Sequence, residues 1–284
     1  MTVSTALEVT KITPAIGAIA TGVDLRRVDA DAFDAIRGAV LEHGAVFFRD
    51  QELTREDTLE FMSNFGEPCV DPFVAPRGAV PPELTVINTD TKSQAPQTAL
   101  WHSDTSGAPA PTSFISLRPI ELPPTGGDTC WSSACAAYDA LSAPMRDMLD
   151  GLSAVHSSTL KLVPMMPGAD VIPPEVMQEM PGMTMQNVHP VIRVHPVTGR
   201  HALFVNETWT ERIVELEPAE SDVLLAFLFR HITSPLFTLR WKWRLGDIVV
   251  FDNYSTQHAA VNDYAGGRVL EKAMIAGDPP YGPR

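Results

Sequence analysis

Helical periodicity in this chain is concentrated in its first and middle parts. Strand signals are scattered and then crowd together from residue 235 to the end. Phe33, Ile36, Val40 and Leu41 lie at helical spacing within residues 30–43, and Gly44 follows as a stop. A second helix is predicted from Thr54, with Leu59, Phe61 and Met62 apolar, ending near Gly66. Residues 133–152 and 219–232 are predicted helices as well, the latter on Val223, Leu224, Leu225, Phe227 and Leu228. Ala45-Val46-Phe47-Phe48 reads as a buried strand, and Ile248-Val249-Val250-Phe251 is the clearest strand of the C-terminal group. Residues 8–24 read as short strands and turns, and residues 67–100 as an irregular, Pro-rich stretch around a short strand at Leu84-Thr85-Val86-Ile87. This order does not suit a βαβ alternation. It predicts a mainly β fold, a curled β core with helices packed on one side. No repeat and no linker divides the chain, so one domain over residues 1–284 is expected.

With 284 residues and 44% hydrophobic composition, the chain can bury a sizeable core. Its formal charge of -14 argues against nucleic acid and against an anionic membrane as partner, since both need a basic surface. It also means that an anionic small molecule can be held only where a few cations gather at one point. The expected partner is a small-molecule substrate, and a homo-oligomer is compatible with the composition. Cys69, Cys130 and Cys135 follow neither a zinc-type spacing nor a disulfide scaffold, which points to a reducing cytoplasm. The first residues lack the basic and apolar regions of a signal peptide, and no run of about 18 apolar residues predicts a membrane span.

Four constellations carry candidate chemistry. In Trp101-His102-Ser103-Asp104, residues two apart on an extended backbone share a face, so His102 and Asp104 would present an imidazole and a carboxylate together. That is two-thirds of a facial His-His-carboxylate set for Fe(II). Taken alone, such a pair fits an exposed turn better. In Asp252-Asn253-Tyr254-Ser255-Thr256-Gln257-His258, the histidine lies at the exit of the apolar strand ending at Phe251, where a third ligand could arise. In the last strand, Arg268, Leu270, Lys272 and Met274 share one face by alternation. If that face points inward, its cations need an anion, and an arginine fork suits a carboxylate. Periodicity does not choose between the faces. Finally, Gly126-Gly127 turns into a short strand whose Thr129 offers a hydroxyl. There is no Gly-rich phosphate loop and no Gly-x-Ser-x-Gly elbow.

Together these pieces resemble the taurine dioxygenase family of Fe(II)- and 2-oxoglutarate-dependent oxygenases. The resemblance rests on Trp101-His102-Ser103-Asp104, Gly126-Gly127-Asp128-Thr129, the run from His189 to Arg200, Leu203-Phe204-Val205-Asn206-Glu207 and Arg212-Ile213-Val214. It continues through Trp241-Lys242-Trp243, Asp252-Asn253, Thr256-Gln257-His258 and Asp263-Tyr264. It implies a double-stranded β-helix, the jelly roll of cupin-like enzymes. It implies His102, Asp104 and His258 as iron ligands, and Arg268 with Thr129 as the grip on the distal carboxylate of 2-oxoglutarate. Arg268 follows His258 across a turn, a separation compatible with neighbouring strands. Iron, 2-oxoglutarate and O2 would together oxidise a substrate C–H bond, with succinate released. Hydroxylation is the leading outcome, and desaturation, epoxidation or ring rearrangement are alternatives. A metal-dependent hydrolase would keep the triad but give Arg268 and Thr129 no purpose, and the intact His102, Asp104 and His258 argue against a cupin-type binding module.

The sequence departs from the family at several positions. A second arginine usual four residues after the first is Lys272, a cation without the fork, expected to contact cosubstrate or substrate. The residues matching the taurine contacts are Asp71, Val74 and Thr98, and Phe251 stands where a tryptophan is usual, whereas Trp243 is kept. Asp71 in place of a histidine would repel a sulfonate, so the expected substrate is not taurine, although Asp71 could instead cap a turn beside Pro72. Met165, Met166, Met177, Met180, Met183 and Met185 make residues 160–187 a candidate apolar lid over a bulkier, less polar substrate, a specialised metabolite for example. A surface loop is the alternative there.

Overall fold

A computed structural model describes residues 7–72, 81–90, 97–98, 100–158 and 185–283, with the backbone alone described at 88–90 and 97–98. Strands β1 (Glu8–Lys11) and β2 (Ala18–Thr21) precede helix α1 (Ala30–His43), strand β3 (Ala45–Phe48) and helix α2 (Arg55–Ser63). Then come β4 (Pro68–Cys69), β5 (Leu84–Asp90), β6 (Gln97–Thr98), β7 (Phe114–Glu121), β8 (Thr129–Ser133), α3 (Ala134–Asp139) and α4 (Ala143–Leu149). Strands β9 (Ser153–Ser157), β10 (Gln186–Pro190), β11 (Ile192–Val194), β12 (His201–Leu203) and β13 (Thr210–Ile213) lead to α5 (Pro218–Ile232). The chain closes with β14 (Thr238–Trp241), β15 (Ile248–Asp252), β16 (Thr256–Asn262) and β17 (Gly267–Ile275).

The helix ends follow their capping residues. Asp29 accepts from the Ala32 amide at the start of α1, and Gly44 ends that helix at φ 73° with its N–H on the Val40 carbonyl. Thr54 and Asp57 form a reciprocal capping box on α2. The predicted helix over 133–152 is in fact two, α3 and α4, because Ser142 and Pro144 restart the chain after a break. The strand predicted at 84–87 runs on to Asp90, drawn out by its pairing with β17.

A large sheet runs β1-β2-β3-β15-β7-β17-β4, with β5 also on β17, and faces a smaller one ordered β14-β8-β16-β6. Phe47, Leu117, Val249, Phe251, Leu270 and Met274 of the first meet Trp131, Leu239 and Trp241 of the second in one buried cluster. This is a jelly-roll, cupin-like core. Val46, Phe48, Ile248 and Val250 alternate with those residues and point outward, where α1 and α2 cover them with Ile36, Val40, Phe61 and Met62. Strands β3 and β15 are apolar throughout because both of their faces are buried. Helices α3, α4 and α5 form a separate cluster with β9 and β11–β13. The helices therefore sit in two groups rather than on one side, each with an apolar face of its own to cover.

Because Leu270 and Met274 belong to the inter-sheet cluster, the face of β17 that also carries Arg268 and Lys272 points inward. The strands bearing His258 and Arg268 are not neighbours. β16 pairs with β8 and β6, and β17 with β7, β5 and β4, so the turn at 263–266 crosses from one sheet to the other.

Candidate active site

His102 forms an isolated antiparallel bridge to His258 in β16. The His102 amide donates to the His258 carbonyl at 3.0 Å and the His258 amide to the His102 carbonyl at 2.8 Å. Such a mutually bonded pair holds its Cα atoms about 5.5 Å apart. The two imidazoles stand side by side, with ring centroids 4.3 Å apart. Asp104 returns to the same side, its Oδ1 3.4 Å from His102 Nε2. One ligand atom from each of the three residues lies within 4.8 Å of the others. Two ligands about 2.1 Å from one octahedral ion lie about 3 Å apart, so this spacing suits a metal.

The protonation states fit as well. His102 Nδ1 lies 3.0 Å from the Leu100 carbonyl, which can only accept, so this nitrogen carries the proton and Nε2 is free to ligate. His258 Nδ1 is buried without a hydrogen-bond partner among the described residues. Burial, reinforced by His102, pushes the His258 pKa down to about 3, which keeps the imidazole neutral. Burial disfavours the charged Asp104, but the Lys272 ammonium beside it outweighs that cost and holds the carboxyl well below the usual carboxylate range. Two imidazoles and a carboxylate on one face form the donor set of non-haem Fe(II) oxygenases.

Asn253 carries no role in the sequence pattern, yet it holds this loop in place. Its Oδ1 accepts from the Asp104 amide at 3.0 Å, and its Nδ2 donates to the Asp104 carbonyl at 3.0 Å and the Thr112 carbonyl at 2.8 Å. Ser103 Oγ donates to the Thr256 carbonyl at 2.8 Å and ties the same loop to β16. Buried Asp252, next to Asn253, accepts from His195 Nε2 at 2.9 Å. Buried Arg193 donates to the carbonyls of Asn253 and Tyr254. The signal available in the sequence was the polar pair Asp252-Asn253 directly after the apolar run Ile248–Phe251.

Across the interior from His258, Arg268 lies buried with Nε on the Gly127 carbonyl at 2.8 Å and a terminal nitrogen on Thr129 Oγ1 at 2.9 Å. Thr129 Oγ1 also accepts from Trp243 Nε1 at 3.0 Å. A hydroxyl has two acceptor positions and one proton. With both acceptor positions filled, any further hydrogen bond of Thr129 is one its hydroxyl donates. The Gly126-Gly127 turn is required by this approach. Both glycines have positive φ, a Cβ on Gly126 would fall 2.5 Å from Asp263 Oδ1, and one on Gly127 would fall 3.2 Å from Arg268 Cδ. Asp263 Oδ1 in turn accepts from the Gly127 amide at 2.9 Å. Arg268 and Thr129 therefore form a buried cation beside a directed hydroxyl, a fit for a carboxylate.

The remaining expected residues divide. Lys272 Nζ lies 3.1 Å from Asp104 Oδ2 and 2.8 Å from Asp71 Oδ2, so both of its contacts are carboxylates of the protein. Burial works against its charge, but Asp104 and Asp71 hold its pKa above the ordinary lysine value. Asp71 is thus an ion-pair partner inside the site as well as a neighbour of Pro72. Trp243 and Phe251 are both buried: Trp243 bonds Thr129, and the Phe251 ring packs 5.0 Å from that of His258. Thr98 pairs with Val261 through the backbone, and its side chain lies outside the described residues. Val74 and residues 160–184 of the Met-rich candidate lid expected over 160–187 also lie outside them.

A model of the family described as "Taurine catabolism dioxygenase TauD, TfdA family" matches residues 8–274. An alpha-ketoglutarate-dependent sulfate ester dioxygenase of Pseudomonas putida is 34% identical over 97% of this chain and 91% of its own. An (S)-phenoxypropionate/alpha-ketoglutarate-dioxygenase of Sphingobium herbicidovorans is 30% identical over 97% of each chain. Among solved structures, a taurine dioxygenase from Burkholderia xenovorans superposes with a TM-score of 0.82 at 35% identity, covering 98% of this chain and 93% of that one. AAD-2 in complex with Mn(II) and N-oxalylglycine gives a TM-score of 0.80 at 27% identity, over 97% and 99% of the two chains.

Proposed function

The chain belongs to the taurine catabolism dioxygenase TauD, TfdA family, and from that premise we propose that it hydroxylates a C–H bond of a small organic substrate other than taurine. It is an oxidoreductase, a 2-oxoglutarate-dependent dioxygenase that uses Fe(II), 2-oxoglutarate and O2. When bound, these three together supply the oxidising power, with 2-oxoglutarate leaving as succinate and carbon dioxide.

In this reading His102, Asp104 and His258 hold the iron. Arg268 and the Thr129 hydroxyl hold the distal carboxylate of 2-oxoglutarate. The single observation that carries the assignment is the convergence of the three ligand atoms within 4.8 Å on the same interior as the Arg268–Thr129 pair. A hydrolase working through metal-bound water would need the triad but not the buried arginine and its directed hydroxyl. The apolar rings of Phe251 and Trp131 packed around His258 exclude water behind the ligand.

Asp71 supports a substrate other than taurine, because a second buried carboxylate beside Asp104 repels a sulfonate. The family match along residues 8–274 supports a single catalytic unit. Among the described residues no helix is long and apolar enough to cross a membrane. The free thiols of Cys69, Cys130 and Cys135 support a cytoplasmic setting. The test is O2-dependent conversion of 2-oxoglutarate to succinate by the iron-loaded enzyme, with and without taurine. Succinate formation with no stimulation by taurine is expected. Consumption tightly coupled to taurine hydroxylation overturns the substrate reading, and no succinate under any condition overturns the reaction.

A further inference from the structure

Three charged side chains meet at the corner where β14, the approach to β8 and the turn after β16 come together. Arg240 in β14 donates through Nε to Asp128 Oδ2 at 2.6 Å and through a terminal nitrogen to Asp263 Oδ2 at 2.7 Å. Asp263 uses its other oxygen, Oδ1, to accept from the Gly127 amide. The Arg240 side chain is 51% exposed and that of Asp263 34% exposed, so the corner lies at the protein surface. Arg268, by contrast, is buried.

Gly126 and Gly127 join this corner to the buried arginine. Two consecutive glycines at positive φ keep wide backbone freedom, so such a turn does not hold one orientation by itself. Here the chain is fastened on both sides of the Gly127 carbonyl. Asp263 holds the Gly127 amide. The next residue, Asp128, is held by Arg240 through its side chain and by the Val261 amide on its carbonyl at 2.9 Å. The Gly127 carbonyl, directed in this way, receives Arg268 Nε, and Thr129, directly after Asp128, receives a terminal nitrogen of Arg268. Two of the three guanidinium nitrogens are thus set by the segment that the corner fastens, which fixes the plane of the fork.

From this geometry we infer that Asp263 and Arg240 are positioning residues for 2-oxoglutarate, acting on its distal carboxylate through the Gly127 carbonyl, Thr129 and Arg268 rather than by contact. This rests on the dioxygenase reading and deepens it: the affinity of a buried cosubstrate site depends on an ion-paired corner at the surface. The metal ligands are held by other means, the His102–His258 backbone pair and Asn253. Loss of the corner is therefore felt at the distal carboxylate and not at the metal.

The test is anaerobic calorimetry with Mn(II), and then, on the Mn(II)-loaded enzyme, with 2-oxoglutarate and with oxalate, which keeps the metal-chelating end but lacks the arm that reaches Arg268. Asp263→Ala should weaken 2-oxoglutarate about 10-fold, the scale of an outer partner of a ligand site, and leave Mn(II) and oxalate affinities within about 2-fold. Arg240→Gln, which leaves Asp263 on Gly127, should weaken 2-oxoglutarate about 3-fold, the scale of a half-exposed ion pair, with oxalate again unaffected. This second variant decides the matter if Asp263→Ala does not fold. Unchanged 2-oxoglutarate affinity in the deciding variant, or an equal loss for 2-oxoglutarate and oxalate, overturns the positioning role alone. Failure of the Mn(II)-loaded wild type to bind 2-oxoglutarate overturns the dioxygenase reading itself.

Discussion

His102 and His258 exchange both backbone hydrogen bonds, at 3.0 and 2.8 Å, so the two imidazoles are registered by main chain and not by the ion they would share. The ligand spacing is a property of the strand pairing. A side chain can then be removed without releasing the other two ligands.

Replacing His102, Asp104 or His258 singly by Ala should therefore leave the fold intact and cut Mn(II) affinity at least about 100-fold, beyond the range typical of outer partners. Calorimetric titration beside a circular dichroism spectrum measures both. Unaltered affinity in any one variant removes that residue from the ligand set.

Asn253→Ala deletes the clamp on the Asp104 loop and orphans buried backbone groups. Each group so orphaned costs about 1–3 kcal/mol. Stability in urea should fall by about that amount or more, and metal affinity by about 10-fold, although Asn253 is not a ligand. A variant as stable as wild type with unchanged metal affinity would show that the loop holds itself.

How much of this was legible in the sequence depends on range. The strand Ile248–Phe251 and helix α1 with its Gly44 stop were readable because their burial and capping are local. Alternation put Arg268 and Lys272 on one face, but the direction of that face depends on the opposite sheet, which lies beyond the strand's own pattern. The turn at 263–266 has the composition of a hairpin. It instead crosses between sheets, because β8 and β7 have already taken the neighbouring edges. The Asp71–Lys272 pair and the Asn253 clamp join distant segments and leave no trace in spacing. The three ligands were identified by family resemblance, not by periodicity.

Arg268→Lys keeps the charge and loses the fork, and Thr129→Val removes the oxygen that receives both Trp243 and Arg268. Each should weaken 2-oxoglutarate binding about 10- to 100-fold, the worth of a hydrogen bond to a charged group, with metal affinity unchanged. Separate titrations with Mn(II) and with 2-oxoglutarate distinguish the two sites. Equal loss of both affinities would mean that the pair supports the fold and not the cosubstrate.

Burial, with His189 and Arg193 nearby, holds the His156 pKa well below that of a free histidine. The unfolded chain then takes up a proton near pH 6.5 that the folded chain refuses. Stability from this residue is complete above that pH and is lost as pH falls toward the folded value, by up to about 1.4 kcal/mol per unit. Urea denaturation at pH 7 and pH 5 should show a smaller loss in His156→Gln than in wild type. An identical loss in both would assign the pH dependence elsewhere.

The most direct test of the central claim is the visible absorption of the anaerobic protein with Fe(II) as 2-oxoglutarate is added. A saturable new band in wild type that is absent from Asp104→Ala and shifted to higher 2-oxoglutarate concentration in Arg268→Lys is the predicted result. No band in wild type, or the same band at the same concentration in all three proteins, contradicts it.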